Sequence, residues 1–317
     1  PAYNYQEQPR WILPGPLGGH NWQAMSYDAR TGIVYLPAMD TPFVYHIDEE
    51  WKAVGEYPRR AGAFRLGLDL PNLSQLMLNT PDKPKARGYL KAFDPLSGAE
   101  KWAVEFPHHW NGGALATRGG LVFQGNSLGE FNAYDAETGD LLWTSNAYRG
   151  FIAPPVSYMV DGRQYIAVLA GTGGGSGVVG DAGPASEEYR NEGLLLVYKL
   201  DGALEMPVPL DRNQDIPEQP AIRASKSEIE RGERLYNQSC LRCHGFFAHS
   251  SGIVPDLRMM DESTRRDFKL IVRDGLLRLK GMPGFAGELR NKDIDQIHAY
   301  ITAQAAEDRR KALEEPD

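Results

Sequence analysis

Apolar and polar positions follow two different periods along this chain. Through residue 200 the apolar residues come in short runs of strand length, separated by glycine-rich polar turns. Leu121-Val122-Phe123 stands between Gly120 and Gly125, and the longest runs, around Tyr165–Ala170 and Leu194–Leu200, are still only strand-length. Val160-Asp161-Gly162-Arg163 predicts a hairpin turn. From residue 225 the period becomes helical. Ile229, Leu235 and Tyr236 predict a helix capped by Ser225 or Ser227 and running to about Gln238. Ile294, Ile297, Tyr300 and Ile301, spaced 3, 3 and 1, predict a second helix starting near Asn291. Between the two regimes, Asp201–Ala224 contains Pro207, Pro209, Pro217 and Pro220, the composition of a semi-rigid extended linker. The expected organisation is therefore a β unit over 1–200, a linker over 201–224 and a helical unit over 225–317.

The β unit carries a repeat. Tyr27-Asp28-Ala29-Arg30-Thr31-Gly32, Phe93-Asp94-Pro95-Leu96-Ser97-Gly98 and Tyr134-Asp135-Ala136-Glu137-Thr138-Gly139 each place Asp four residues before Gly, with Thr or Ser just before the Gly. That pattern makes a turn with a side-chain acceptor and a glycine free to take positive φ. An aromatic follows on a strand each time: Tyr35, Trp102 and Trp143. Asp94 to Asp135 is 41 residues, the period of one propeller blade. Asp28 to Asp94 is 66, which places an insertion between them, in the Pro- and Leu-rich stretch 58–84. The expected fold class is an all-β propeller of four-stranded blades followed by an all-α unit; a β-sandwich with similar turns is the alternative.

Composition agrees with many turns: 34 Gly and 22 Pro among 317 residues. With 42% hydrophobic and 24% charged residues the chain is globular. The net charge of −8 argues against nucleic acid as a partner. It is unevenly spread. From Lys226 onward 16 basic residues balance 16 acidic ones, so the first 225 residues carry the whole excess. No apolar run is long enough for a transmembrane helix. The opening residues, Pro1-Ala2-Tyr3-Asn4-Tyr5, read neither as a secretion signal nor as a natural initiator.

Candidate chemistry centres on the two cysteines. Cys240-Leu241-Arg242-Cys243-His244 is the attachment signature of a c-type haem: two thiols add to the haem vinyl groups, and the adjacent imidazole is fixed over the iron. A redox disulfide or half of a zinc site shares the Cys-x-x-Cys spacing. Zinc would need two further ligands, and only His249 and His298 are nearby. For the second axial position three methionines follow: Met259, Met260 and Met282. Met282 is favoured. It stands 38 residues after His244 in Gly281-Met282-Pro283-Gly284-Phe285, an extended loop from which a thioether can reach iron. Met259 and Met260 read as packed apolar residues. The helical stripes flanking this motif resemble the first and last helices of class I cytochrome c, over about Ser225–Ala306.

Further stretches carry a wider resemblance. Gly18-Gly19-His20-Asn21-Trp22, Trp110-Asn111-Gly112-Gly113, Gly119–Gly125, Ile152-Ala153-Pro154-Pro155, Pro255-Asp256-Leu257-Arg258 and Gly281-Met282-Pro283 are similar to those of the quinohaemoprotein alcohol dehydrogenases, which use pyrroloquinoline quinone (PQQ) with calcium. The resemblance spans essentially the whole chain. It implies haem c, PQQ and calcium as cofactors, an alcohol as substrate, an external electron acceptor and a periplasmic location. It implies PQQ contacts from Asn21, Trp22 and Trp110; packing between blades is the other use of two such tryptophans. His108 and His109 receive no role. The family's propeller has eight blades, and about 200 residues supply three to four. The calcium ligands, the catalytic aspartate and an adjacent-cysteine disulfide are then expected elsewhere, and no catalytic residue is assigned here. A partner polypeptide with the amino-terminal blades, from a nicked or split chain, is the corresponding expectation. The insertion at 58–84 is expected to line the substrate entrance. Two rival readings stand beside this one: an electron-transfer module on a scaffold β unit, or a quinohaemoprotein acting on a substrate other than a simple alcohol.

Overall fold

A computed structural model describes residues 4–54, 67–173, 182–212 and 215–314. A short ribbon pairs β1 (Arg10–Ile12) with β4 (Phe43–Tyr45). Three larger antiparallel sheets follow one another. The first is ordered β2 (Ser26–Asp28), β3 (Ile33–Asp40), β5 (Arg87–Phe93), β6 (Glu100–Phe106). The second is β7 (Asn111–Ala116), β8 (Leu121–Asn126), β9 (Glu130–Asp135), β10 (Leu141–Asn146). The third has β11 (Val156–Val160), β12 (Arg163–Ala170) and β13 (Leu194–Tyr198), with a short α-helix, Pro184–Glu188, in its last connection. The predicted hairpin at Asp161-Gly162 joins β11 to β12, with Val160 opposite Arg163.

The sheets stack face to face. Tyr35, Leu90, Ala92 and Phe106 of the first share a buried cluster with Ala114, Val122 and Tyr134 of the second. Phe131 of the second, with Phe151, joins Ile166, Val168 and Ala170 of the third. Successive meanders packed in this way are the arrangement expected of blades.

The repeated turns explain part of that stacking. Asp135 accepts from Glu137 N (2.8 Å) and Thr138 N (3.0 Å), which lets Gly139 close the turn at φ +79°. The indole of Trp102, from the preceding sheet, lies over this glycine: a Cβ there would stand 2.8 Å from it. Trp102 Nε1 and Tyr35 Oη both donate to Ala136 O, at 3.2 and 3.0 Å. The Gly is thus needed twice, for its dihedral and for the space above it.

One expectation is corrected. The Asp94 and Asp135 turns both join the third and fourth strands of their sheets, so their 41-residue spacing is a true period. The Asp28 turn joins the first and second strands of its sheet. The 66-residue interval therefore compares unlike hairpins, although an insertion does exist, between β3 and β5. It holds β4, α1 (Glu49–Val54) and α2 (Leu73–Asn79). Residues 58–66 of the predicted insertion lie outside the described residues.

The remaining helices, with Pro184–Glu188 numbered α3, are α4 (Lys226–Ser239), α5 (Leu241–His244), α6 (Glu262–Val272) and α7 (Asn291–Glu314). Ser225, not Ser227, caps α4, and Glu228 completes a reciprocal capping box. The helix α4 crosses α7 at Gly232, where a Cβ would come 2.0 Å from Gln296 O. Only glycine lets the backbones approach so closely.

The described part of the insertion docks on this helical unit. Val44, Leu68, Leu70 and Leu73 share one buried cluster with Leu235, Tyr236, Ile297 and Tyr300. Ser74 Oγ donates to Asn237 Oδ1 at 3.0 Å, and Gln75 donates to Glu233 at 2.9 Å. Residues 68–79 form a seat for the helical unit; the described residues do not test whether the insertion lines a substrate entrance. Arg212 of the linker is fastened at both ends of its guanidinium, which donates to Ser186 O (2.8 Å) and to Ser250 O (2.6 Å).

Candidate redox site

The Cys-x-x-Cys-His segment sits where α4 passes into α5. Cys240 N donates to Tyr236 O at 2.8 Å, and Cys243 N and His244 N both donate to Cys240 O, at 3.1 and 3.0 Å. Helical spacing of i, i+3 and i+4 therefore puts Cys240, Cys243 and His244 on one side. Gly245, at φ +76°, turns the chain away, and Tyr236 Oη donates to Gly245 O at 2.7 Å.

His244 is buried, and burial lowers its pKa, so the imidazole is neutral and ready to ligate. Its Nδ1 lies 3.0 Å from Pro255 O. A carbonyl only accepts, so Nδ1 carries the proton and Nε2 is left as the lone-pair donor. The turn that offers this carbonyl is pinned in its own right. Asp256 Oδ1 accepts from Arg258 N (3.0 Å), Asp256 Oδ2 from the Arg258 guanidinium (2.8 Å), and Arg258 reaches Asp308 Oδ2 of α7 at 2.9 Å. Sequence reading singled out Pro255-Asp256-Leu257-Arg258 without seeing this use.

Burial pushes the Cys240 thiol up to about 12. Among the described residues no group of three or more His, Cys, Asp and Glu is arranged to hold a metal ion. His298 does not join the cysteines; it stacks on Phe268 with ring centroids 4.5 Å apart. His249 pairs with Glu187 of α3 at 3.0 Å. Two thiols and a tethered imidazole on one helical turn fit a haem attached through two thioethers.

Of the three methionines, Met260 is buried as core in the cluster that contains Cys240. Met259 is half-buried. Met282 packs against the same cluster from a loop shaped by Gly281 at φ +94° and by the Phe285 N to Val272 O hydrogen bond of 2.9 Å. The fold thus brings Met282 and Cys240 to one cluster.

In the β unit, Asn21 is exposed and its side-chain amide donates to Leu17 O at 2.9 Å. Trp22 is half-exposed and lies on Trp110, ring centroids 5.4 Å apart. Trp110 is wholly buried. Trp22 is thus the more open of the two indoles, and Trp110 lies buried behind it. An amide beside a flat apolar wall fits one side of a planar quinone.

Two residues given no role in the sequence turn out to extend this stack. His109 lies 4.7 Å from Trp110, and His108 lies 4.4 Å from His109, centroid to centroid. His108 Nδ1 is 2.8 Å from Ser127 Oγ, and Ser127 O accepts from Ala185 N of α3 at 3.2 Å. The next element of that path is the Glu187–His249 pair, five residues past His244. The four rings therefore run from the open face of Trp22 toward the helix that touches the haem-type unit. Two adjacent histidines ahead of a tryptophan were the available signal.

Two family descriptions match separate parts of the chain. The family described as "Glucose/ethanol/alcohol dehydrogenase, beta-propeller domain" matches residues 104–166. That described as "Cytochrome C oxidase, cbb3-type, subunit III" matches residues 227–301. The chain is 35% identical over 309 residues to quinohemoprotein alcohol dehydrogenase ADH IIB of Pseudomonas putida, which covers 97% of this chain. It is a relative of the quinohaemoprotein alcohol dehydrogenases. The structure of ADHIIG from Pseudomonas putida superposes with a TM-score of 0.80 at 33% identity, covering 97% of this chain. Lupanine 17-hydroxylase [cytochrome c] from a Pseudomonas species is 35% identical over 309 residues and covers 95% of this chain. The chain spans 42–44% of the length of these three proteins. No described helix is long and apolar enough to cross a membrane.

Proposed function

We propose that this chain is the electron-accepting part of a periplasmic quinohaemoprotein dehydrogenase that oxidises an alcohol. The observation that carries the reading is the pairing, in one body, of a tethered His244 beside two thiols with a blade unit whose exposed Trp22 backs onto a ring stack leading to that body. When bound, PQQ would supply the hydride acceptor and haem c a one-electron acceptor. Cys240 and Cys243 would hold the haem covalently, with His244 Nε2 and the Met282 thioether on the iron. A thioether in that position favours the reduced state and so makes a better acceptor. Pro255 O keeps the imidazole in the ligating tautomer. Asn21 and Trp22 would orient the quinone plane, with Trp110 behind as a rigid support. Trp110, His109 and His108 would form the part of the route nearest Trp22, ending at Ser127 and α3. The calcium implied by the family finds no acidic cluster among the described residues, and no step is assigned to it here.

Further blades are part of the proposal, in the same polypeptide or another. Gly139 lies under Trp102, but the equivalent Gly98 has nothing within 4 Å of where a Cβ would be. An indole from a preceding blade would cover it. At the other end, β11 is exposed along its length, and Leu195 and Val197 of β13 are 66% and 48% exposed. No described strand pairs with the outer edge of β13.

The test is anaerobic addition of ethanol to the enzyme supplied with PQQ and calcium, with haem absorbance as the readout. Reduction of the haem by alcohol is expected. A haem reduced by ascorbate but by no alcohol would leave electron transfer alone. A second reading concerns the substrate, since one relative is named for hydroxylation of lupanine. Reduction by lupanine and not by alcohols would favour it.

A further inference from the structure

The linker reaches the surroundings of the redox site through Arg212. Its backbone is first fixed to the β unit. Tyr189 bridges Asp211, Arg190 N donates to Leu210 O at 2.8 Å, and Arg212 N donates to Glu188 O at 2.9 Å. That pairing at the end of α3 sets the Arg212 side chain between the two units, where it is 13% exposed. One arm of the guanidinium serves each unit. Nη1 donates to Ser186 O of α3 and stands 3.6 Å from Glu187 Oε2. Nη2 donates to Ser250 O and stands 3.7 Å from Asp256 Oδ2. Ser250 and Asp256 are the two ends of one loop, and Pro255 O, which accepts from His244 Nδ1, lies inside it. The loop is closed from within as well: Ser250 Oγ donates to Val254 O and accepts from Gly252 N at 3.0 Å. Ser250 and Ser251 are both buried. A buried carbonyl is costly to leave without a donor, and a charged donor bonds roughly twice as strongly as a neutral one.

We propose that Arg212 is a positioning residue for the haem ligand: by gripping both ends of loop 250–256 and tying them to α3, it holds Pro255 O on His244 Nδ1. The inference rests on the haem reading above. A ligating histidine takes its orientation from the group on its other ring nitrogen, and Arg212 acts one step further out than that group. Within the helical unit, Arg258 holds the Asp256 carboxylate and reaches Asp308 of α7. Arg212 holds the same carboxylate and the Ser250 carbonyl against the β unit. The setting of the imidazole is thus shared between the two units, so the unit that would bind the quinone also fixes the ligand of the unit that would bind the haem. Arg309 offers the contrast. Its guanidinium also fastens the linker, donating to Ile216 O at 2.6 Å, but makes no hydrogen bond or ion pair to this loop.

The test reads the His244 Nδ1 proton itself. The full haem-loaded chain, isotope-labelled at nitrogen and reduced, is followed by NMR for exchange of that proton with water. Arg212→Met is expected to speed the exchange on the order of tenfold. Arg212→Lys keeps the charge but not the two-armed fork, and is expected to speed it by a smaller factor. Arg309→Met is expected to stay within about twofold of the parent, as are the amide protons of α7 in all three variants, which report that the helical unit is folded. Should Arg212→Met loosen α7 as well, Arg212→Lys carries the comparison. Parent exchange of the His244 proton in the Arg212 variants, or an equal acceleration in Arg309→Met, would overturn the proposal while leaving the haem reading intact. A chain without haem would overturn both readings at once.

Discussion

Met282 and Met260 touch one cluster but are held in different ways. Met260 is enclosed core at the end of a short helical turn, whereas Met282 sits half-buried in a loop whose glycines leave its side chain room to move toward a metal. Their alanine variants should therefore part company. Met260→Ala is expected to cost about 2–5 kcal/mol of stability by leaving a cavity, with the haem potential little changed. Met282→Ala is expected to keep the haem covalently attached but to lower its reduction potential, because a thioether ligand favours the ferrous state. Urea unfolding and a redox titration of each variant check both statements; a potential that moves only in Met260→Ala would exchange their roles. At this scale the sequence was legible where chemistry is local in the chain. Cys240, Cys243 and His244 are adjacent, and their spacing states the attachment. The tautomer of His244 was not legible, because it depends on a carbonyl eleven residues away and on the Asp256–Arg258 fork that holds it.

Helix ends and turns were read well for the same reason. The serine cap, offered by the sequence as Ser225 or Ser227, and the Asp-x-x-x-Gly turns are interactions between near neighbours. What the pattern did not reveal was which hairpin of its sheet the Asp28 turn occupies, since first and third hairpins use the same turn chemistry. The α6 cap offers a pH test. Asp261 Oδ1 accepts from Thr264 N at 2.7 Å, and that backbone bond, helped by the Thr264 and Ser263 side chains, lowers its carboxyl from 3.8 to about 2. The folded state thus binds fewer protons than the unfolded state between those values. The cap contributes fully above about pH 4 and is lost as pH falls toward 2. Asn caps about as well as Asp but does not titrate, so Asp261→Asn is expected to match the parent near neutrality and to lose stability less steeply below pH 4. Urea unfolding at several pH values measures it; identical acid limbs would remove the cap from the account.

On the scale of the whole molecule, the helical unit is seated on the insertion between β3 and β5 through an apolar cluster common to both. The sequence located an insertion but not its purpose, because Leu68, Leu70 and Leu73 read as apolar residues without showing what covers them. A shared core predicts one cooperative unfolding transition for the two units. Leu73→Asp places a charge in that core and is expected to split the calorimetric transition into two; a single transition at the parent temperature would mean that the units are held by the linker alone. Such a seat keeps the Cys240–His244 turn fixed relative to Trp22 and the rings behind it, which is what electron transfer within one body requires. That account depends on a haem being there. The most direct test is the mass of the denatured chain, purified from a host that matures c-type cytochromes, beside its absorption spectrum. The account predicts the mass of one haem added covalently, absent from a Cys240→Ala/Cys243→Ala variant. An unmodified mass with both cysteines free to react with a thiol reagent would contradict it.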